Sequence, residues 1–132
     1  MDVKNKRVVV TGAASGIGKA LCEAFHEADA QSIVAVDMNL DGAQETADSV
    51  NGIAVQANVG IEKDIIDVIQ KADEHAGGTD IFCSNAGIGG VPGFFEVEAS
   101  DWQNIWDVNV QSHIFAAKHV LPQMIERGEG YL

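Results

Sequence analysis

Two kinds of apolar pattern alternate along the chain. Short runs without polar alternation, Val8-Val9-Val10, Ile33-Val34-Ala35-Val36, Ile53 onward and Ile81-Phe82-Cys83, read as strands buried on both faces, as in a parallel sheet. Their expected extents are a first strand about 8–10, then 32–37, 53–57 and 80–85. Between them apolar residues recur at helical spacing. Ile17, Leu21, Ala24, Phe25 and Ala28 form one inward face, a weaker helix is expected over 43–50, and Ile65, Ile66, Ile69 and Ala72 line one side of an amphipathic helix over 62–76. Asn51-Gly52 marks a turn and Gly77-Gly78 a stop. A loop over 87–93 leads to a long helix over roughly 100–127, capped by Ser100 or Asp101, closed near Gly128 and kinked or narrowed at Pro122.

Strand and helix alternating in this way imply an α/β fold, a doubly wound parallel sheet with right-handed crossovers and helices on both faces. The expected strand order is 3-2-1-4. Ligands in such sheets bind beyond the carboxyl ends of the strands where the order reverses, here between the first and fourth strands. Gly12 to Gly18, Asp37 and Asn85 to Gly87 all converge on that edge.

The turn after the first strand, Thr11-Gly12-Ala13-Ala14-Ser15-Gly16-Ile17-Gly18, is the chain's strongest chemical signal. Its glycines allow backbone angles and close approaches that a Cβ would block, and the helix starting near Ser15 offers unpaired N–H groups and a positive dipole end to a pyrophosphate. A Walker loop does not fit, because five residues separate Gly12 from Gly18 and Ala20 stands where a Mg²⁺-binding hydroxyl is needed. The intervals also differ from G-x-G-x-x-G. A glycine-rich turn without a ligand is the plain alternative.

Asp37 closes the second strand nineteen residues after Gly18, close to the usual offset of a ribose-binding acid. A carboxylate there accepts two hydrogen bonds from an adenosine ribose and repels a 2′-phosphate, so NAD is expected over NADP. Without the glycine turn, the same Asp would read as a solvated strand end.

Composition narrows the field further. A chain of 132 residues, 46% hydrophobic, suffices for one domain. Eight basic residues against twenty acidic ones give a net charge of −12, which disfavours nucleic acid, and the cluster Lys4, Lys6, Arg7 reads as the solvated lead-in to a strand. No apolar run approaches the ~20 residues of a membrane span and no signal-peptide core is present, so no membrane association is expected and the location is expected to be cytoplasmic. Cys22 and Cys83 are expected to stay reduced. His26, His75, His113 and His119 show no metal-ligand spacing, and no metal site is expected.

The motif Thr-Gly-x-x-x-Gly-x-Gly resembles the short-chain dehydrogenase/reductase family, and further matches extend the resemblance along the chain. Asn58-Val59 stands where that family usually has Asp-Val near the adenine. Ser84-Asn85-Ala86-Gly87 is similar to its Asn-Asn-Ala-Gly, with Ser in first place. Trp106-Asp107-Val108-Asn109-Val110 resembles the mid-helix segment whose Asn completes a catalytic tetrad, a role that would fall on Asn109. Taken alone, an Asn inside a helix is more often a solvated or packing residue.

The resemblance implies a Rossmann-type sheet, the cofactor NAD, and hydride transfer between it and a secondary alcohol or ketone. Cofactor-binding residues would be Gly12, Ser15, Gly16, Ile17, Gly18, Asp37, Met38, Asn58, Val59, Asn85, Ala86 and Gly87. The family's catalytic Ser and Tyr-x-x-x-Lys lie beyond a next strand expected to begin at Gly130-Tyr131-Leu132, so the chain reads as the N-terminal, cofactor-binding half of an enzyme. Substrate choice would fall partly to residues 88–95. The long helix, with Trp102, Trp106 and Phe115, would contribute to a homodimer or homotetramer. A non-catalytic NAD-binding module is the rival reading, and a Rossmann methyltransferase ranks below it.

Overall fold

The structure, a computed structural model, describes every residue except Met1, Val91, Pro92 and Phe94. In chain order the elements are β1 (Arg7–Thr11), α1 (Gly16–Glu27), β2 (Ser32–Asp37), α2 (Leu40–Ser49), β3 (Ile53–Gln56), α3 (Glu62–Ala76) and β4 (Ile81–Cys83). A helical arm follows, built of α4 (Ala99–Trp106), a π-helical turn over Asp107–Gln111, and α5 (Ser112–Arg127). The four strands form one parallel sheet in the order β3-β2-β1-β4, as the alternating pattern predicts.

Why three valines in a row make the central strand follows from its two neighbours and two faces. Val9 pairs with Val34 and Phe82 in register, and together with Val36 and Val55 these point to the layer of α3 and α5, against Ile65, Val68, Ala116 and Val120. Val8 and Val10 point the other way, into a cluster with Ile33, Ala35, Cys22 of α1 and Ala47 of α2. Alternate side chains therefore enter opposite cores, and each fully buried valine contributes about 1.5–3 kcal/mol.

The helix faces depart from the predicted ones in instructive ways. On α1 the buried residues are Gly18 and Cys22, with Leu21 and Phe25 partly covered, whereas Ile17 is 74% exposed and Ala24 and Ala28 lie outside. The reason is a close approach: a Cβ at Gly18 would collide with the Gly12 carbonyl, so the helix packs through its smallest side and not its most apolar one. On α3, Val68 joins Ile65, Ile69 and Ala72 inside, and Ile66 faces out. α2 starts earlier than expected, because the Asn39 side chain accepts the Gly42 N–H at 3.2 Å and caps it.

The long helix begins at Ala99, with Glu98 as its cap. Glu98 and Asp101 form a reciprocal capping box in which Asp101 Oδ2 accepts the Glu98 N–H at 2.9 Å, so Asp101 is the third helical residue and neither it nor Ser100 is the cap. α5 runs through Pro122 to Gly128, whose positive φ closes it; the irregular turn lies upstream, at Asp107–Gln111. β4 spans only three of the six residues expected for it. Beside it, Tyr131 makes a parallel bridge to Ile81, donating its N–H to Asp80 O and accepting the Phe82 N–H, each at 2.9 Å. That is the register of a further parallel strand.

At the amino ends of the strands, away from the glycine turn, Arg7 grips Asp80 in a two-point pair with Nε to Oδ2 at 2.7 Å and Nη2 to Oδ1 at 2.5 Å. Arg127 joins through Nη2 to the Thr79 carbonyl at 2.5 Å. Asp80 is buried, and its hydrogen bond from Arg7 holds its carboxyl down to about 2.

Candidate functional site

At the carboxyl ends of β1 and β4 the site is organised by a residue that the motif contains but that sequence reasoning left unassigned. Thr11 is buried, and its hydroxyl oxygen accepts the N–H groups of Asn85 and Ala86, each at 3.0 Å, while donating to the Cys83 carbonyl at 3.2 Å. Asn85 answers through Nδ2, which donates to the Thr11 carbonyl at 2.9 Å. Four hydrogen bonds thus bolt the turn after β4 to the turn after β1. The Asn85 amide nitrogen thus helps to position the backbone of both turns.

Each glycine of the first turn does something different. Gly12 has φ +70° and passes so near the second turn that a Cβ would lie 2.9 Å from Ala86 Cα. Gly18 brings α1 against the turn, as described above. Gly16, at φ +54°, has nothing within 4 Å of where its Cβ would be, so only its backbone conformation and an empty space require glycine. That space lies before the amino end of α1, where the first-turn N–H groups lack intrahelical carbonyls and the Ser15 side chain makes no capping bond. Gly12, Ser15, Gly16, Ile17, Gly18, Asp37, Asn85, Ala86 and Gly87 all line this groove.

A second hollow of about 130 Å³ continues from it over the ends of β2 and β3, between Asp37, Met38, Ala57, Asn58, Val59, Ile88 and Val108. Gly12, Asp37, Ala86 and Gly87 belong to both. Asp37 stands at the junction with its oxygens already oriented: Oδ2 accepts the Ala14 N–H at 3.1 Å and Oδ1 the Asn39 N–H at 2.9 Å. Each oxygen keeps a lone pair for a further donor. Among the described residues, no lysine or arginine lines either hollow. The predicted binding residues, scattered from position 12 to position 87, are therefore brought together along one continuous cleft.

Asn58 is held in a tight turn, with Oδ1 accepting the Gly60 N–H at 3.0 Å and its own N–H donated to Asp64 Oδ2 at 2.9 Å. Asp64 in the first turn of α3 and Thr46, whose hydroxyl donates to the Ala13 carbonyl at 2.8 Å, are supports that no motif advertised. A polar residue aimed at a neighbouring loop leaves no periodic trace in sequence. Asn109 sits in the π-helical turn and holds Ile88, at the exit from the second turn, by both backbone groups. Of the segment 88–95, Val91, Pro92 and Phe94 lie outside the described residues.

Burial pushes the Cys22 thiol up to about 12 and raises that of Cys83, so neither thiol is a thiolate at neutral pH. Among the described residues no group of three or more His, Cys, Asp or Glu could hold a metal ion, and no helix is long and apolar enough to cross a membrane.

A parallel sheet in this order, with a three-glycine turn at its reversal point and an acid at the next strand end, defines a Rossmann-like α/β protein. The sequence model of a protein family, short chain dehydrogenase, matches residues 6–132, and the chain belongs to that family of oxidoreductases. It is 34% identical over 131 residues to glucose 1-dehydrogenase 2 of Bacillus subtilis (strain 168), covering 95% of this chain and 51% of that protein. An uncharacterized oxidoreductase of Staphylococcus aureus (strain MRSA252) is 33% identical over 133 residues, with 97% and 56% covered. The chain spans about half the length of these curated relatives.

Proposed function

We propose that the chain forms the NAD(H)-binding part of a cytoplasmic oxidoreductase that interconverts a secondary alcohol and a ketone. The observation that carries this reading is the pairing of the open space at Gly16 with the anchored carboxylate of Asp37 on one cleft. A pyrophosphate placed before α1 meets free N–H groups. An adenosine ribose beside it then meets the spare lone pairs of Asp37, and the base continues into the hollow over β2 and β3. When bound, the dinucleotide supplies or accepts the hydride. The chain's residues bind it, orient it and keep the walls of its cleft at a fixed distance.

A carboxylate at Asp37 with no lysine or arginine lining the cleft favours a free 2′-hydroxyl over a 2′-phosphate. Titrating NAD and NADP against the full-length protein tests this, with NAD expected to bind at least about tenfold more tightly and Asp37→Ala expected to erase most of the difference. Tighter binding of NADP would overturn the assignment.

In the same reading Asn109 is the chain's catalytic contribution. The π turn takes carbonyls out of the regular helical pattern, and one of them at Asn109 would anchor a water for proton relay. The relative named glucose 1-dehydrogenase 2 makes glucose a substrate to assay. Trp102 and Trp106, each more than half exposed, together with Ile114, Leu121 and Ile125 leave an apolar stripe on the helical arm that suits a second copy of the protein in a homodimer or homotetramer.

A further inference from the structure

Thr46 and Asp37 hold opposite ends of one peptide unit, the one joining Ala13 to Ala14. The Thr46 hydroxyl, on the buried face of α2, donates to the Ala13 carbonyl at 2.8 Å, and the Ala14 N–H of the same unit donates to Asp37 Oδ2 at 3.1 Å. A trans peptide is planar, so its carbonyl and its N–H point in opposite directions and turn together. Fixing one fixes the other. The same hydroxyl reaches the Gly42 carbonyl at 3.1 Å, the Gly42 N–H donates to Asn39 Oδ1 at 3.2 Å, and the Asn39 N–H donates to Asp37 Oδ1 at 2.9 Å. Hydrogen bonds joined by short covalent links thus form a ring that leaves Thr46, passes through both oxygens of Asp37 and returns.

An Asp carboxylate has no strongly preferred orientation of its own, because its terminal torsion is broad and two-fold. Neighbours must impose one. A buried threonine in a helix is ordinarily satisfied by the carbonyl four residues back, here Gly42, yet the shorter of its two bonds goes across to the glycine turn. That bond also polarises the peptide unit and strengthens the Ala14 N–H as a donor to Asp37. α2 lies hard against the turn, where a Cβ at Gly42 would stand 2.7 Å from Ala14 Cβ. Thr46 and Ala13 are both fully buried, behind the wall of the cleft, so Thr46 acts through Asp37 and not by touching a ligand.

We propose that Thr46 is a positioning residue for the ribose-reading carboxylate: through the Ala13-Ala14 peptide it holds Asp37 in the orientation that accepts ribose hydroxyls and opposes a 2′-phosphate. This rests on the reading that Asp37 takes the adenosine ribose of NAD. Without the hydroxyl, the Ala13 carbonyl loses a buried partner, the peptide plane is free to turn, and Oδ2 loses its anchor. Discrimination between NAD and NADP then falls although no residue of the cleft wall has changed.

The test is calorimetric titration of the full-length protein with NAD and with NADP, on the native chain and on Thr46→Val and Thr46→Ser, with the melting temperature measured on each. Thr46→Val is expected to weaken NAD by about tenfold and to change NADP by less than about threefold, whereas Thr46→Ser, which keeps the hydroxyl, is expected to retain the native ratio within about threefold. Thr46→Ala repeats the deletion of the hydroxyl where the valine variant does not fold. In an Asp37→Ala background Thr46→Val is expected to leave the ratio where Asp37→Ala puts it, since both act through one carboxylate. A threonine with a structural task alone lowers the melting temperature and weakens both dinucleotides alike, and that result overturns the proposal. A folded Thr46→Ser variant that loses the native ratio overturns it as well. Failure of the underlying reading looks different: the native protein then binds NADP as tightly as NAD, or binds neither, whereas failure of this inference alone leaves the native preference for NAD intact.

Discussion

Asn109 grips Ile88 with both ends of its amide, Oδ1 accepting the Ile88 N–H and Nδ2 donating to the Ile88 carbonyl, each at 2.8 Å. One side chain thus completes two backbone groups of a segment that has left β4 and not yet reached α4. Gly87 makes room for this: a Cβ there would stand 3.3 Å from Asn109 Oδ1. At Asn109 the side chain sets the loop while the backbone carries the π turn.

Asn109→Leu keeps the approximate volume and removes both bonds, so a stability loss of about 1–2 kcal/mol is expected. In the full-length enzyme kcat is expected to fall on the order of a hundredfold, with NAD affinity changed much less, since a displaced loop misaligns the reacting groups more than the nucleotide. Melting temperature, NAD titration and steady-state kinetics on the one variant check this. Turnover intact in the folded fraction would remove Asn109 from the catalytic machinery.

The glycines of the first turn should separate cleanly. Gly16→Val places a side chain in empty space at a positive φ, so it is expected to abolish detectable NAD binding at a stability cost of about 1–2 kcal/mol. Gly18→Val drives a side chain into the Gly12 carbonyl and is expected to cost more than about 3 kcal/mol, lowering the melting temperature before binding becomes the issue. Thermal unfolding followed by titration distinguishes them; equal stability of the two variants would contradict the packing described here.

Much of the fold could be read from the chain because its signals are local and repeated. Apolar runs rich in β-branched residues mark β1 and β2, and Glu62–Ala76 carries an amphipathic face from end to end. The inward side of α1 escaped because close approach at Gly18, and not hydrophobicity, sets its rotation. Thr46 and Asp64 escaped because each serves the site with one hydrogen bond to a distant or irregular backbone group. The break in the helical arm falls at Asn109, a poor helix former whose amide invites a local interruption, whereas Pro122, read as a kink or narrowing, lies inside a continuous α5.

Acid should weaken the fold through Asp80. Its carboxyl titrates at about 2 in the folded chain, because Arg7 donates to it, against ~3.9 when unfolded. A depressed value means that the unfolded chain binds the proton first. The stabilisation is therefore complete above about pH 4 and is lost as pH falls toward 2, amounting to about 2 kcal/mol. Asp80→Asn is expected to lose that contribution at neutral pH and to show a flatter dependence of stability on pH between 2 and 4, measurable by urea unfolding across that range.

Exposed aromatic surface on the helical arm gives a further expected outcome. Trp106→Asp in the full-length protein should shift the assembly toward smaller species in light scattering while leaving the far-ultraviolet dichroism unchanged. An unaltered mass would place the subunit contact elsewhere.

The hydroxyl of Thr11 has no capacity left over: one proton given to Cys83, two lone pairs filled by Asn85 and Ala86. Mechanically, this makes the mouths of β1 and β4 a single rigid jaw. The two turns cannot part to admit a ligand without orphaning several polar groups in a buried place at once. A ligand of this cleft would therefore enter from its open side and settle against a wall that does not yield, and any closing movement would come from elements outside this clamp.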